Sequence, residues 1–226
     1  QTDGPGEFTF LAFGDSGTGG DNQRTLAARI VSEQAALVLH TGDVGQYRGA
    51  FFEYESFYFP IYRDLMRRTP FYPTPGNHDY GTNFAFALLA LHATPTSGVP
   101  QEDHGRYYSF DWSNAHFICL DSNVPLTRAA EGRDRMLDWL EQDLAATRKF
   151  WKIVFFHHPP YTTTWHVNDP QSTLARKHIV PILDRHGAHL VLNGHEHSYQ
   201  RTVPLRGGAA TEPAKGIVYV TTAGGG

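Results

Sequence analysis

The chain has 226 residues, of which 40% are hydrophobic, and a formal net charge of -4 at neutral pH. This length allows one large globular domain, and without a proline-, serine- or charge-rich linker we expect a single domain over residues 1–226. The slightly acidic charge gives no basic footprint for nucleic acid, and no apolar run reaches the roughly 18 residues that span a bilayer.

The N-terminal third has the pattern of a β-α-β unit. Residues 7–13 form an apolar run typical of a buried strand, and Leu26 and Ile30 have helical spacing within residues 22–34. Residues 36–39 are the next predicted strand. This order favours a parallel or mixed sheet between helices.

Two segments near this unit invite functional interpretations that the residues do not support. The glycine-rich loop 14–20 lacks the Gly-Lys-Ser/Thr ending of a phosphate-binding loop and does not fit the dinucleotide spacing. The aromatic-rich segment 49–68 is interpreted as helices broken near Pro60, with most rings in the core. An exposed aromatic patch there would favour an interaction role.

Strands and helices continue to alternate through the rest of the chain. The clearest helix covers residues 133–148, where apolar residues recur every three or four positions. Ser113 and Asn114 predict a turn between two antiparallel strands, and Pro181 interrupts a helix. The remaining predicted strands are 70–73, 106–112, 116–120, 152–156, 188–192 and 216–222, and the remaining helices are 83–91 and 172–186.

The single cysteine, Cys119, excludes an internal disulfide. Its apolar neighbours predict an ordinary buried thiol rather than a nucleophile. The chain starts at Gln1 without an initiator Met, and it ends at residues 224–226 after a strand-like run. These ends fit a processed N-terminus and a natural chain that continues further.

Polar residues follow five of the apolar runs. If those runs lie in one sheet, their ends converge on the rim where open α/β sheets bind ligands. Carboxylates, an amide and imidazoles together suit Zn²⁺, Mn²⁺ or Fe, and six ligands exceed the four of a structural zinc site. The candidate metal ligands are Asp15, Asp43, Asn77, His157, His195 and His197.

Six ligands are about right for two ions that share one carboxylate. Two ions about 3.5 to 4 Å apart form the clamp used for in-line displacement at phosphorus, so the set predicts phosphoester hydrolysis. His78 is placed to protonate the leaving oxygen or to hold the phosphate, and Asp79 is expected to orient its imidazole.

Less specific interpretations compete with this one. Gly-Asp and Gly-Asn after a strand are also ordinary turn chemistry, although turns do not explain His157 together with the His-x-His of residues 195–197. We expect His40 to be a hydrogen-bonded packing residue. For His158 the pattern favours neither a substrate-facing nor a structural role.

The same residues form five motif blocks. They are Gly14-Asp15-Ser16-Gly17, Gly42-Asp43, Gly76-Asn77-His78-Asp79, Val154-Phe155-Phe156-His157 and Gly194-His195-Glu196-His197. In order and content they resemble the blocks of the calcineurin-like metallophosphoesterases, most closely the purple acid phosphatase branch. The resemblance implies an α/β fold, a four-layer αββα sandwich of two mixed β-sheets flanked by helices, with a dimetal site at the strand C-terminal ends. It implies a short version with one catalytic domain.

The resemblance also implies individual roles. Asp15 and His197 would hold the first ion, Asn77, His157 and His195 the second, and Asp43 would bridge the two. His78 matches the family's substrate-side histidine. His166 resembles a further histidine that faces the phosphate in plant members.

The second motif block departs from the family pattern. The family has a tyrosine three residues after the bridging aspartate, and this tyrosine binds iron and gives the purple colour. Here Gln46 occupies that position and Tyr47 follows it, while Gly17 stands where other branches supply a histidine. We therefore expect three protein ligands at the first ion and a colourless protein.

The functional expectation is a dimetal acid phosphatase acting on a small phosphorylated substrate, with a metal-bound hydroxide attacking phosphorus. Its ions would be Fe, Zn or Mn. The alternatives are a phosphodiesterase on the same site and a non-catalytic metal- or phosphate-binding protein, the latter motivated by Gln46. The family and the missing Met predict export to a periplasm or the exterior. Substrate and oligomeric state have no signature in the sequence.

Overall fold

A computed structural model describes residues 6–124 and 130–226, residue 130 by its backbone alone. Residues 1–5, on which the expected N-terminal processing depends, lie outside the described part. Within that part a first sheet has three parallel strands in the order β1-β2-β3. These strands are β1 (Phe10–Phe13), β2 (Leu37–His40) and β3 (Phe71–Pro73).

A second, six-stranded sheet is mixed and has the order β4-β5-β6-β7-β11-β8. Its four inner strands are parallel, and β4 and β8 run antiparallel at the two edges. The predicted turn at Ser113-Asn114 is confirmed, since it joins β4 to β5. The remaining strands are β4 (Tyr108–Trp112), β5 (Ala115–Cys119), β6 (Trp151–Phe155), β7 (Leu190–Asn193), β8 (Tyr199–Arg201), β9 (Leu205–Arg206), β10 (Ala209–Ala210) and β11 (Val218–Thr222).

Strands β8 to β10 are not predicted from the sequence because runs of two or three residues carry no periodicity. Strands β9 and β10 form a separate antiparallel hairpin. The described part of the chain contains the helices Asp21–Val31, Phe51–Glu53, Tyr54–Tyr58, Phe59–Met66, Phe86–Leu91, Ala130–Ala146, Pro170–Leu174, Ala175–Ile179 and Val180–His186, with short 3₁₀ turns at Asp79–Gly81, Gln101–Asp103 and Pro213–Lys215.

The predicted helix breaks at Pro60 and Pro181 are π-helical turns instead. The turn Tyr54–Tyr58 ends two residues before Pro60, and Ala175–Ile179 ends two residues before Pro181. Proline lacks an N–H and clashes with the carbonyl four residues earlier, and a wider i→i+5 turn moves that carbonyl away. Each helix therefore continues through its proline.

Strand alternation creates three apolar layers, which confirms the four-layer sandwich. Leu37 and Leu39 point between the sheets with Phe117 and Phe155, whereas Val38 points to the helices on the outer face of the first sheet. On the second sheet, Val154 packs outward against the helices of residues 130–146 and 180–186. Burying a side chain of this size contributes about 1.5 to 3 kcal/mol. Cys119 is buried in the middle layer, as predicted.

The aromatic-rich segment divides between core and surface. Tyr54, Tyr58 and Tyr62 are fully buried, as expected of core rings. Phe51 and Phe52 are 43% and 56% exposed. Among the described helices, none combines the length and hydropathy that would let it cross a membrane.

Candidate metal centre

The polar residues predicted at strand ends lie together at one rim of the sandwich. Parallel strands β1, β2 and β3 lead into the first three of them, and β6 and β7 lead into the others. Because the carboxyl ends of parallel strands meet at one edge, the two sheets present their loops to one space. The residues in those loops are Asp15, Asp43, Asn77, His157, His195 and His197.

Three of these residues adopt a left-handed backbone conformation. The φ angles are 59° for Asp15, 52° for Asp43 and 68° for His195. For a residue other than glycine this conformation costs of order 1 kcal/mol or more, and such residues cluster at functional sites. The chain therefore turns sharply at each of these strand ends and aims the side chain at the rim.

Neighbouring glycines permit the close approach of these loops. A Cβ on Gly76 would lie 2.0 Å from Asp43 Oδ1, and a Cβ on Gly194 would lie 2.7 Å from Asp15 Oδ2. Both distances are far below van der Waals contact. The glycines of these motif blocks are thus required by packing around the carboxylates.

Asp43, Asn77 and His157 converge at the centre of the site. His157 Nε2 lies 2.9 Å from Asn77 Oδ1 and 3.3 Å from Asp43 Oδ2. Its Nδ1 lies 2.8 Å from the carbonyl oxygen of Thr41. Asp43 and His157 are buried, so their polar atoms interact with each other rather than with solvent.

Asp15 joins this centre from the other side. His197 Nε2 lies 3.4 Å from Asp15 Oδ1, and the backbone N–H of His195 lies 3.1 Å from each Asp15 carboxylate oxygen. The side chain of His197 is 54% exposed, whereas that of Asp15 is fully buried. Asp15 thus ties the last motif block to the first.

Asp169 and His195 form a pair that the sequence does not reveal. His195 Nε2 lies 2.8 Å from Asp169 Oδ2, and since a carboxylate accepts, Nε2 is the donor. The ring nitrogen of His195 that remains for a metal is therefore Nδ1. Carboxylate-histidine pairs of this kind orient ligands in metal sites. The available signal is weak, since Asp169 lies in a loop without a motif.

Glu196 similarly fixes His166. The buried Glu196 Oε2 accepts hydrogen bonds from His166 Nδ1 at 2.9 Å and from the His166 backbone N–H at 3.1 Å. The rings of His166 and His195 are 4.2 Å apart, which brings His166 to the rim. Glu196 lies between two predicted ligands in the sequence, but its hydrogen bond to His166 is seen only in the structure.

His78 lies at the solvent side of the centre. Its side chain is 41% exposed, and Nε2 is 3.9 Å from Asp43 Oδ2. The expectation that Asp79 orients this imidazole is wrong. Asp79 is buried and accepts hydrogen bonds from the backbone N–H groups of Val44, Gly45 and Gly76 and from Tyr54 Oη. It supports the loop that carries Asp43.

Two further histidines lie behind the rim. His40 is buried and its Nε2 lies 2.8 Å from Ser16 Oγ, which agrees with the expected hydrogen-bonded packing role. His158 is also buried, and its Nδ1 lies 2.7 Å from Ser122 Oγ. Its ring centre is 4.8 Å from that of His157. His158 thus faces the same space as the predicted ligands.

Gln46 and Tyr47 differ in burial at the place where the sequence departs from the family pattern. Tyr47 is 58% exposed and its hydroxyl donates to the Thr18 carbonyl oxygen at 3.3 Å, so its ring lies at the surface. Gln46 Oε1 is buried without a hydrogen-bond partner in the described part of the chain. The tyrosine therefore does not replace the residue at position 46.

Burial and neighbouring charges shift the pKa values of the groups in the centre. Burial raises the pKa of Asp15, and the nearby Asp43 raises it further. Burial alone lowers the pKa of His157, but the charges of Asp43 and Asp15 outweigh it and raise the pKa to about 9. Burial and His157 lower the pKa of His195 to about 4, which keeps that ring neutral as a metal ligand must be.

The donor atoms are close enough to hold metal ions. The ligand atoms of Asp15, Asp43 and His157 lie within 4.8 Å of one another, as do those of His157, His158 and His195. His166, Asp169 and His195 form a third such group. Buried carboxylates beside imidazoles suit borderline cations, so the residues present fit such ions.

The sequence is similar to phosphoesterases of known families. A family model described as calcineurin-like phosphoesterase matches residues 8–199. Purple acid phosphatase 18 of Arabidopsis thaliana is 28% identical, with 98% of this chain and 51% of that protein aligned. A probable cyclic nucleotide phosphodiesterase of Rhodococcus erythropolis is 30% identical, with 58% of this chain and 41% of that protein aligned. The chain thus spans about half or less of the length of these relatives.

A solved structure shares the fold. Purple acid phosphatase PPD1 from yellow lupin seeds superposes with a TM-score of 0.77 over 98% of this chain and 45% of its own, at 17% identity. At that identity the likeness establishes the architecture of two sheets flanked by helices.

Proposed function

Because this chain belongs to the calcineurin-like phosphoesterase family, we propose that it is a dimetal hydrolase of small phosphate monoesters, of the acid phosphatase type. The observation that carries the proposal is the convergence on His157 of two ligand groups. One contains Asp15 and Asp43, and the other contains His195. Because one group of donor atoms lies on the carboxylate side of His157 and the other on the histidine side, the two groups can hold two ions rather than one.

The chain's own residues would hold the ions as follows. Asp15 and His197 would hold the first, Asn77, His157 and His195 would hold the second, and Asp43 would contribute to both. When bound, two such ions supply Lewis acidity, which activates water and neutralises charge on phosphoryl oxygens. Fe, Zn and Mn all suit this mixture of donors.

His78 is the residue best placed to act on substrate. Its half-exposed imidazole lies beside Asp43, so it can reach a phosphate above the centre and donate a proton to the leaving oxygen. His166 is held by Glu196 through Nδ1, which leaves Nε2 free to hydrogen-bond a phosphoryl oxygen. In the proposal His78 is the acid and His166 helps to hold the phosphate.

A phosphodiesterase activity on the same centre is the second candidate. The observation in its favour is the similarity to the probable cyclic nucleotide phosphodiesterase. Initial rates on p-nitrophenyl phosphate and bis(p-nitrophenyl) phosphate distinguish the two. We expect the monoester to be preferred, and a higher kcat/KM for the diester would replace the first candidate by the second.

A non-catalytic metal- or phosphate-binding role is the third candidate, because Gln46 and Gly17 leave the first ion with few protein ligands. Elemental analysis of protein purified without an affinity tag or chelator tests it. We expect two metals per chain and turnover of the monoester. One metal or none, together with no turnover, would favour binding without catalysis. Export is also a prediction, and a cleaved leader in the complete gene product would support it.

A further inference from the structure

His158 lies at the centre of the site although none of the motif roles above includes it. It is fully buried, and its ring centre lies 4.8 Å from that of His157 and 4.5 Å from that of His195. The rings of His157 and His195 are 5.0 Å apart. The three imidazoles therefore form a compact triangle.

One nitrogen of His158 has a partner and the other has none. Nδ1 lies 2.7 Å from Ser122 Oγ, which also accepts the backbone N–H of His158 at 3.1 Å. Nε2 is buried and has no hydrogen-bond partner among the described residues. A buried polar atom left without a partner costs about 1 to 3 kcal/mol, so such an atom in a native site requires an explanation.

The spacing of the three rings fits a shared ion. Their ligand nitrogens all lie within 4.8 Å of one another. Metal-nitrogen bonds to imidazole are about 2.0 to 2.1 Å long, so nitrogens this close together could bind one ion between them.

We propose that His158 Nε2 is a third imidazole ligand of the ion that His157 and His195 hold. The inference rests on the proposed dimetal centre and deepens it. Each of the three rings is fixed through one nitrogen and presents the other to the same space. Thr41 accepts from His157 Nδ1 and Asp169 accepts from His195 Nε2, while His158 Nδ1 pairs with Ser122 Oγ, which accepts from it in the tautomer that leaves Nε2 for a metal.

A third imidazole changes which ions the second site prefers. Imidazole is a borderline donor that suits Zn and Fe, whereas Mg²⁺ prefers oxygen. We therefore expect the second site to bind Zn²⁺ strongly and to discriminate against Mg²⁺. Loss of His158 weakens that discrimination because the remaining donors are richer in oxygen.

Direct ligation can be observed in protein labelled with ¹⁵N-histidine and loaded with ¹¹³Cd²⁺ as a probe of the zinc site. Scalar coupling across a metal-nitrogen bond splits the nitrogen resonance, whereas a hydrogen bond or simple packing does not. We expect splitting at His157 Nε2, His195 Nδ1 and His158 Nε2. The spectrum of the His158→Gln variant assigns the last of these resonances.

The affinity for Zn²⁺ provides a second measurement, by competition with a chromophoric chelator. His158→Gln keeps the volume and polarity of the side chain, and we expect the second-site Kd to rise by about tenfold or more. His116→Gln is the matched control. His116 is also buried, at 7% exposure, but bonds Asp111 and Asp143 outside the site, so its replacement leaves the Kd unchanged.

The outcomes separate this inference from the proposed function. Splitting at His157 and His195 with an unsplit His158 resonance overturns the ligand role and leaves the hydrolase proposal intact. Absence of cadmium coupling at every histidine overturns both. If His158→Gln does not fold, the spectrum of the unmodified protein decides the question alone.

Discussion

His157 Nδ1 donates a hydrogen bond to the carbonyl oxygen of Thr41 over 2.8 Å, and this bond joins the rims of the two sheets. Thr41 follows β2 of the first sheet, and His157 follows β6 of the second. A carbonyl oxygen can only accept, so the proton lies on Nδ1 and Nε2 faces Asp43 and Asn77. One backbone carbonyl thus sets the orientation of an imidazole from the opposite sheet.

Removing a donor from the second site is expected to remove turnover. Asn77→Ala or His157→Ala should lower kcat/KM for p-nitrophenyl phosphate by at least about 100-fold, because each removes a proposed ligand of an ion that would stabilise the transition state. Elemental analysis should show a loss of one metal per chain. His186→Gln, whose imidazole bonds Glu141 away from the site, is the control and should keep both properties. Retained turnover in Asn77→Ala would refute the assignment.

Metal removal is expected to lower thermal stability. The buried carboxylates of Asp15 and Asp43 lie close together, and a bound cation compensates them only in the folded state. A free metal concentration of 100 Kd stabilises the fold by about 2.7 kcal/mol. Calorimetry before and after dialysis against a chelator should show a lower Tm, restored by Zn²⁺ or Mn²⁺. An unchanged Tm would mean that the carboxylates bind no ion.

Asp79 is expected to stabilise the Asp43 loop rather than to act on substrate. Asp79→Ala leaves three buried backbone N–H groups without their acceptor and should cost about 2 to 4 kcal/mol of unfolding free energy. Tyr54→Phe removes a single hydrogen bond to the same carboxylate and should cost about 1 kcal/mol. Urea denaturation of metal-free protein measures both. Equal losses would contradict the supporting role of Asp79.

Iron-loaded protein is expected to be colourless until a tyrosine occupies position 46. Tyr47 is exposed and bonded to Thr18, so its phenol does not lie at the centre. Gln46→Tyr places a phenol at the position that corresponds to the iron-binding tyrosine of the purple acid phosphatase branch. The iron-loaded variant should then show a visible charge-transfer band. Gln46→Phe is the control without a hydroxyl. A band in the unmodified iron-loaded protein would show that Tyr47 reaches the ion.

His116, which lies outside the site, is expected to make the free energy of unfolding depend on pH. Burial lowers the pKa of His116, but hydrogen bonds to Asp143 and Asp111 outweigh it and raise the pKa above its usual value near 6.5. A raised histidine pKa means stability that is complete below the unfolded pKa and is lost as the pH rises through the folded pKa.

The same histidine can be tested by comparing the unmodified protein with His116→Gln at two pH values. We expect the free energy of unfolding of the variant to be about 1 to 3 kcal/mol lower than that of the unmodified protein at pH near 6, because charged hydrogen bonds disappear. The difference should be clearly smaller at pH near 9.5. Urea denaturation gives both values. A loss that does not change with pH would mean that the imidazole is neutral in the fold.

Much of the site follows from local sequence patterns. An apolar run followed by glycine and a polar residue specifies both a buried strand and the turn after it, so Asp15, Asp43 and His195 are identifiable from their immediate neighbours in the chain. The αββα fold class is implied by the resemblance of the five motif blocks to those of the calcineurin-like metallophosphoesterases. These blocks contain the same strand-to-turn transitions. The existence and type of the longer elements also follow, because periodicity extends over many residues, although their ends differ from the predicted ones by up to three residues.

Tertiary structure alone decided how each imidazole is oriented. The hydrogen-bond partners of His157, His158, His166 and His195 are Thr41, Ser122, Glu196 and Asp169, which lie 26 to 116 residues away along the chain. It also decided that Asp79 supports a loop and that the chain continues through Pro60 and Pro181 as a helix. Such contacts depend on how two sheets pack face to face, and side chains brought together by packing leave no periodic or short-range signal in the sequence.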